Sequence, residues 1–240
     1  MRICFLGNEE RRQYLQGVAS PGTVVERLAD FTPKSSRPVT IESMYEEYML
    51  IPWVLEMTVE AARRGYDAVV TGCFADPGVD AARELVDIPV IGPGQAAMHT
   101  AAMLGHTFSI LTIFDSTVKT TRNQVRQNGL LDKLASVRAV NVPVLKIREA
   151  ADETYRIVRD TALRCLEEDQ ADVLVIGCAS MSYAFADRLQ ADLGVPVVNS
   201  LKNSLKVAEM LAGGGLSHSK RAYPVPPKMA AGQSAGVELP

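Results

Sequence analysis

The sequence contains few aromatic residues, few histidines and cysteines, and little excess charge of either sign. Its 240 residues include one tryptophan, three histidines and four cysteines, and the formal net charge is −3. Nucleic-acid binding needs clustered Lys and Arg, which are scattered here, so we expect no nucleic-acid partner. No apolar run reaches the ~18 to 20 residues of a membrane helix, and the opening Met1–Gly7 is too short for a signal peptide. We therefore predict a cytoplasmic protein with no membrane partner.

Several functional motifs are also missing. The four cysteines form no C-x-x-C pair and no regular framework, so in a reducing compartment they would remain thiols. His99, His106 and His218 have no metal-ligand spacing with the cysteines, and no G-x-x-x-x-G-K-[ST] phosphate loop occurs. These absences predict a protein without a metal site or a phosphate loop.

What the sequence does contain is a regular alternation of short apolar runs and helical patterns. Such alternation is typical of an α/β fold with largely parallel strands. The predicted strands are 3–6, 68–71, 89–91, 108–114, 139–142, 173–176 and 197–198, and the predicted helices are 45–64, one from Pro77, 95–104, 117–128, 152–168, 183–192 and 201–211.

An internal repeat is more informative than the alternation. The segment D-A-V-V-T-G-C at 67–73 reads again as D-V-L-V-I-G-C at 172–178, and each copy is followed by a helix and a short strand containing proline. Two related units predict two pseudo-symmetric three-layer lobes with mainly parallel sheets. Equivalent strand ends would face each other across a cleft, which is where open α/β sheets bind ligands.

The repeat also sets the expected domain boundaries. We assign residues 1–97 to the first lobe, completed by a C-terminal helix at 201–222, and residues 98–200 to the second lobe. Gly, Pro and Ser become frequent after Gly213, and Pro224 to Pro227 cannot continue a helix. Residues 223–240 are therefore predicted to be a flexible tail.

Cys73 and Cys178 are the candidate catalytic residues because each follows a strand and a glycine in one copy of the repeat. Each sulfur is predicted to lie near a helix N-terminus, which favours thiolate and lowers the thiol pKa. A thiolate and a thiol on opposite faces of one carbon could exchange the roles of base and acid for either enantiomer. The alternative is that both are small residues at crowded strand ends. Cys4 and Cys165 lie in apolar patterns and are interpreted as structural.

Other polar residues near these cysteines have two readings. Asp76 precedes Pro77 and Gly78, which favours a helix-capping role over catalysis. Ser180 and Ser182 could cap the helix after Cys178 or contact substrate.

A competing motif occurs at Gly92–Ala97. The run G-P-G-Q-A-A follows a short strand and opens a helix, with Asp115 further on, and so imitates a dinucleotide-binding fingerprint. The preceding strand is very short and the second copy has Asn199-Ser200-Leu201 at this place, which argues against that function. A nucleotide-dependent oxidoreductase or binding module remains the alternative from another class.

Most of the chain resembles the aspartate/glutamate/hydantoin racemase superfamily, and within it the hydantoin and allantoin racemase branch. The paired cysteine motifs are specific, and the tail match is weaker. The similar segments are Pro38–Glu47, Gly72–Gly78, Gly177–Met181 and Gly215–Lys220.

The resemblance implies a cofactor-independent racemase that transfers protons at a carbon next to a carbonyl, in a 5-substituted hydantoin or related ureide, and that forms a homo-oligomer. An aspartate/glutamate-type racemase, or a decarboxylase or isomerase of the superfamily, is the alternative. Substrate-binding residues that the resemblance implies are Asn8, Phe74, Thr112, Thr117, Ala179 and Ser180.

The first loop departs from the branch pattern. Gly7–Arg11 reads G-N-E-E-R, whereas the branch has Asn-Pro-Asn-Thr or Asn-Pro-Asn-Ser, so only Asn8 carries over. Because this loop is implied to hold polar ends of the substrate, the departure predicts altered specificity.

Overall fold

The computed structural model describes residues 1–29, 37–149 and 151–230, and its strands form two separate four-stranded parallel sheets. The first sheet has the order β2-β1-β3-β4 and the second has the order β6-β5-β7-β8. Each strand of the first sheet has a counterpart at the same place in the second. The predicted α/β fold with two parallel-sheet lobes is thereby confirmed.

The first half of the chain supplies the first sheet and most of the helices around it. Its elements are β1 (Arg2–Leu6), α1 (Glu9–Val18), β2 (Val24–Glu26), α2 (Met44–Arg63), β3 (Ala68–Thr71), α3 (Val79–Leu85), β4 (Val90–Ile91) and α4 (Pro93–Leu104). Alternation along β1 separates the two faces of the sheet. Cys4 and Leu6 pack with α2 and α3, whereas Ile3 and Phe5 pack on the opposite side.

The second half repeats this arrangement. Its elements are β5 (Phe108–Thr112), α5 (Asp115–Gln127), a 3₁₀ turn (Leu131–Lys133), β6 (Leu134–Ala139), α6 (Lys146–Glu149), α7 (Ala151–Glu167), β7 (Val173–Ile176), α8 (Ala179–Leu193), β8 (Val197–Val198), α9 (Ser200–Gly213) and α10 (Pro227–Ala230). Helices α7 and α8 cover one face of this sheet, and α4 and α5 cover the other.

Helices α4 and α9 each cover the sheet of the opposite half. Ala97, Met98 and Ala101 of α4 pack against the second sheet. Leu201 and Leu205 of α9 pack against the first. Helix α4 is continuous from Pro93 to Leu104, so the predicted boundary at residue 97 lies within it, and the division of the chain into lobes stays a prediction.

The C-terminal region differs from the predicted long helix. Helix α9 ends at Gly213, and the chain then turns back across α3 and β4. The Tyr223 ring packs against His218, and its hydroxyl accepts a hydrogen bond from Arg83. Tyr223, the first residue of the predicted tail, is therefore packed against the first lobe. The predicted flexible tail stays a prediction, since residues 231–240 lie outside the described part of the chain.

Two strands of the structure, β6 and β2, differ from the sequence prediction. The predicted strand at 139–142 is wrong, because β6 ends at Ala139, although Val140 and Val142 are buried in the second core. Strand β2 was not predicted, and its three residues are too few to show a period. Among residues 1–29, 37–149 and 151–230, no helix combines the length and the apolar character required to cross a membrane.

Candidate active site

A cavity of about 1050 Å³ lies where the carboxyl ends of the strands of both lobes meet. Residues after β1 and β3 line it from the first lobe, and residues at the ends of β5 and β7 line it from the second. All eight residues predicted for the site lie along this one cavity: Asn8, Cys73, Phe74, Thr112, Thr117, Cys178, Ala179 and Ser180.

The glycine before each cysteine lets two strand ends approach closely. A Cβ on Gly72 would overlap the carbonyl oxygen of Leu6, and a Cβ on Gly177 would lie 2.8 Å from the carbonyl oxygen of Leu111. The Gly177 amide also donates to that oxygen at 2.8 Å. The repeated Gly-Cys therefore places each cysteine directly at the end of a central strand.

The environment of Cys178 agrees only in part with the sequence prediction. Cys178 is the N-cap residue of α8, and the nearby amides of Ser180 and Met181 favour thiolate. Burial nevertheless raises the thiol pKa above its ordinary value. The helix N-terminus is present as predicted, but the predicted lowering of the pKa is wrong because loss of water contributes more.

Cys73 does not lie at a helix N-terminus. Helix α3 begins at Val79, so only the Ala75 amide bonds the sulfur. Burial raises the pKa of the Cys73 thiol to about 12, and the carboxylates of Glu47 and Asp76 add to the rise. The two repeats therefore place their thiols in different electrostatic surroundings.

Thr112 and Thr117 form a hydroxyl pair on the second-lobe side of the cavity. Their Oγ1 atoms are 2.7 Å apart, and Thr117 also donates to the carbonyl oxygen of Phe114 at 2.8 Å. Asn8 is the N-cap residue of α1 in the first lobe, and its side chain accepts from the Arg11 amide at 3.0 Å. Helix capping thus fixes the polar groups at the start of α1 and α5.

Asp76 caps a helix, but not the one predicted. Its carboxyl group accepts from the amides of Gly94 at 2.9 Å and Gln95 at 2.6 Å, at the start of α4. Gln124 of α5 donates to the same carboxyl at 3.2 Å and to the carbonyl oxygen of Phe74 at 2.8 Å. Burial raises the pKa of Asp76 to about 7. Asp76 therefore ties the Cys73 loop to the second lobe.

Neither serine near Cys178 caps α8. Ser180 lines the cavity, and its Oγ accepts from Arg11 Nη2 at 3.3 Å. Ser182 lies inside the protein, where its Oγ donates to the Ile176 carbonyl at 3.2 Å and lies 2.8 Å from Ser200 Oγ. Of the two, Ser180 is the one available to substrate.

The Gly92–Ala97 motif has a structural explanation. The carboxyl of Asp76 occupies the N-terminus of α4, where a dinucleotide fold would bind pyrophosphate. A Cβ on Gly92 would overlap that carboxyl, and a Cβ on Gly94 would overlap the Phe74 carbonyl. The two glycines accommodate the Cys73 loop, which argues against the nucleotide-binding alternative.

Cys4 and Cys165 lie away from the cavity. Each has no exposed surface, and they belong to the cores of the first and second lobes. Burial raises the pKa of Cys4 to about 12 and that of Cys165 to about 11. Their positions are those of small buried hydrophobes.

Sequence reasoning missed several residues of the cavity. Arg11, Glu47 and Gln124 line it, together with an apolar group that remains exposed at its opening: Val39, Met44, Tyr48 and Leu145. Arg11 could have been noticed as the one basic residue of the atypical first loop Gly7–Arg11. Gln124 carries no local signal, because its role depends on contact with a loop 50 residues away in sequence.

The described residues include no group of three or more His, Cys, Asp or Glu side chains arranged to hold a metal ion. The polar groups of the cavity include the two thiols, threonine and serine hydroxyls, side-chain amides, the Arg11 guanidinium, the Tyr48 hydroxyl and the carboxyl groups of Glu42, Glu47 and Glu149.

Several known proteins of similar sequence and structure are racemases. The chain is 34% identical over 203 residues to a hydantoin racemase of Pseudomonas sp. (strain NS671), covering 84% of this chain and 81% of that one. It is 37% identical over 190 residues to a hydantoin racemase of Rhizobium meliloti, covering 78% of each. The solved structure of an allantoin racemase from Klebsiella pneumoniae superposes with a TM-score of 0.86 at 31% identity and covers 94% of both chains. The family model for Asp/Glu/Hydantoin racemase matches residues 13–208, and the chain belongs to that family of isomerases.

Proposed function

We propose that the protein racemises 5-substituted hydantoins by a two-base mechanism in which Cys73 and Cys178 are the catalytic residues. The observation that carries this proposal is that the two cysteines, which end equivalent strands of the two sheets, line one cavity. The names of the similar proteins support the substrate class, since they are hydantoin and allantoin racemases. An amino-acid racemase or a decarboxylase of the same fold is the alternative, and retention of both cysteines favours racemisation.

The chemical step needs no net redox change. One cysteine, as thiolate, takes the proton from C5: the C–H bond breaks, an S–H bond forms, and the electron pair passes into the adjacent carbonyl to give an enolate. The second cysteine, as thiol, returns a proton to the opposite face as the enolate collapses. Thr112, Thr117, Ser180 and Asn8, with Phe74 and Ala179 beside them, would orient the ring and its carbonyl groups.

The exposed apolar residues at the opening indicate which substituent the site accepts. Val39, Met44, Tyr48 and Leu145 would bury an apolar substituent at C5 more favourably than a polar ureido group. A hydantoin with a large apolar substituent is therefore preferred over allantoin.

A substrate panel in deuterium oxide tests the proposal. We expect loss of optical rotation and deuterium at C5 for apolar hydantoins, weaker activity on allantoin, and none on aspartate or glutamate. Exchange only with the free amino acids would establish the alternative racemase, and release of carbon dioxide from a malonate would establish a decarboxylase.

Serine variants test the division of labour between the thiols. Cys73→Ser and Cys178→Ser should each abolish racemisation, because serine is nearly isosteric but far less acidic. Each variant should exchange the C5 hydrogen of one enantiomer only, and the two variants should prefer opposite enantiomers. Cys4→Ser and Cys165→Ser are the matched controls and should lower stability without changing the chemistry. A folded Cys73→Ser or Cys178→Ser variant that racemises at near the wild-type rate would refute the two-thiol mechanism.

We also propose that the protein works in the cytoplasm as a homo-oligomer. All four cysteines are free, which suits a reducing compartment. Met103 and Met210 expose 78% and 62% of their surface at the C-terminal ends of α4 and α9, and such side chains suit a subunit contact. Sedimentation equilibrium tests the assembly, since a mass equal to the 26.0 kDa chain would refute it.

A further inference from the structure

We infer that Arg11 makes Cys178 the more acidic of the two thiols, so that Cys178 is the resting base and Cys73 the resting acid. The inference rests on the proposed two-thiol function and adds which thiol is the base, and which the acid, before substrate binds. It makes Arg11 a positioning residue, since it acts through Cys178.

The groups around Cys178 favour a negative sulfur. The amides of Ser180 and Met181, in the first turn of α8, lie near the sulfur and favour its charged form. Arg11 reaches across from the first lobe, donates to Ser180 Oγ at 3.3 Å, and its positive charge stabilises the thiolate. Glu42 acts in the opposite direction. Two amides and one cation thus oppose a single carboxylate.

The groups around Cys73 favour a neutral sulfur. One amide, from Ala75, bonds it, while the carboxylates of Glu47 and Asp76 both disfavour a second negative charge nearby. Burial acts in the same direction on both thiols. The charged neighbours act in different directions, since Arg11 favours thiolate at Cys178 and two carboxylates disfavour it at Cys73.

Comparison of equivalent positions in the two lobes identifies the residue that makes the electrostatic surroundings of the two thiols differ. Arg11 is the third residue of α1, and the third residue of α5 is the uncharged Thr117. Both helices begin beside the cavity, so one lobe presents a guanidinium where the other presents a hydroxyl. The first loop, which departs from the family pattern, is the source of the asymmetry.

The difference in acidity between the two thiols cannot be determined from kcat/KM for the two enantiomers. Two enantiomers have equal free energy in water, so kcat/KM must be equal in the two directions whichever thiol is the resting base. The test must therefore measure the thiols themselves.

Alkylation with limiting iodoacetamide, followed by peptide mass mapping between pH 6.5 and 9, provides that measurement. Thiolate is the reactive form. Cys178 is only 9% exposed and Cys73 is more accessible. Access alone would favour Cys73, whereas we expect Cys178 to be modified faster than Cys73 at every pH in this range. Modification of Cys73 first would overturn the inference.

Arg11→Gln should slow alkylation of Cys178 at pH 7 by roughly threefold to tenfold, as expected for a pKa rise of up to about one unit. The rate at Cys73 should not change. Arg11→Lys should restore most of the reactivity because it keeps the cation. Arg12→Gln is the matched control, since Arg12 bonds Glu9 and the Val25 carbonyl, and it should leave both rates unchanged. An unchanged Cys178 rate in folded Arg11→Gln would also overturn the inference.

These outcomes are independent of the proposed function. If no hydantoin is racemised but Cys178 still reacts first and Arg11→Gln slows it, the substrate proposal fails and the role of Arg11 stands. If racemisation requires both cysteines but the order of alkylation is reversed, the two-thiol function stands and the role of Arg11 fails.

Discussion

At the scale of single residues, the cavity depends on glycines, which have no side chain to obstruct close packing, as well as on the residues that react. Gly94 allows the start of α4 to lie directly against the loop that follows Cys73. The Asp76 carboxyl then satisfies two amides that would otherwise lack partners at the helix start. Gly94 belongs to the run that imitates a nucleotide-binding motif in sequence. In the structure it helps to position the loop that follows the candidate catalytic residue Cys73.

We predict that Gly94→Ala disrupts this contact. The added Cβ would overlap the Phe74 carbonyl and crowd Gln124, so the Cys73 loop must shift. The free energy of unfolding should fall by ~1 to 3 kcal/mol and racemisation should drop with it. Urea unfolding and a racemisation assay measure the two effects.

Gly17→Ala is the matched control for that substitution. Gly17 also lies in a helix, but nothing lies within 4 Å of its added Cβ. Alanine there should raise the free energy of unfolding by ~0.5 to 1 kcal/mol and leave activity unchanged. Equal effects of the two substitutions would mean that close approach at Gly94 is unimportant.

At the scale of elements, the segment after α9 forms hydrogen bonds with the end of α3 and with β4, and so holds them together. Lys220 Nζ donates to the carbonyl oxygens of Arg83 at 2.9 Å and Val86 at 2.8 Å, at the end of α3. His218 Nε2 accepts from the Val90 amide on the edge strand β4 at 2.9 Å. The segment supplies partners that a helix end and a sheet edge would otherwise lack.

His218 should make stability depend on pH. Burial, with the nearby charge of Arg83, lowers its pKa to about 4 from an ordinary value of 6.5. Between these values the unfolded chain binds a proton that the folded chain does not. The contribution of His218 to the free energy of unfolding should therefore fall as pH falls from 6.5 to 4, by ~1 to 2 kcal/mol after allowance for partial exposure, while Asp76, whose pKa is raised, acts in the opposite direction.

Urea unfolding at pH 7 and pH 4.5 checks this dependence. His218→Gln should reduce the difference between the two pH values, because glutamine does not titrate. His106→Gln, at an exposed position, should keep the wild-type difference. The same difference in all three proteins would exclude His218 as its source.

At the scale of the whole molecule, the two lobes depend on each other because they exchange helices. The first sheet is covered by α9 from the end of the chain, and the second by α4 from its first half. Asp76 and Gln124 add bonds between the lobes. We expect neither lobe to keep its core when the other unfolds.

We therefore predict a single unfolding transition. Trp53, the one tryptophan, reports on the first lobe, and hydrogen exchange of the β7 amides reports on the second. Both probes should give the same urea midpoint. Leu205→Ala in α9 should lower both midpoints together, with a loss of ~2 to 5 kcal/mol. Separate midpoints would show that the lobes unfold independently.

The sequence by itself determined the alternation of strands and helices, the duplication of the lobe and the two cysteines at equivalent strand ends. These features follow from local patterns, since apolar periodicity and Gly-Cys after a buried run are read over a few residues. The boundaries of β3, β7 and β8 could be predicted for that reason. The three-residue β2 could not, because it shows too little periodicity, and β6 could not, because Ser136 and Arg138 interrupt its apolar residues.

Only the tertiary structure decided which groups meet. Asp76 caps α4 rather than α3, and Arg11 reaches Ser180 from 169 residues away in sequence. Burial raises both thiol pKa values, although the N-terminus of α8 alone would lower that of Cys178. The physical reason is that desolvation and Coulomb interactions depend on distances across the cavity, and packing of the two lobes sets those distances.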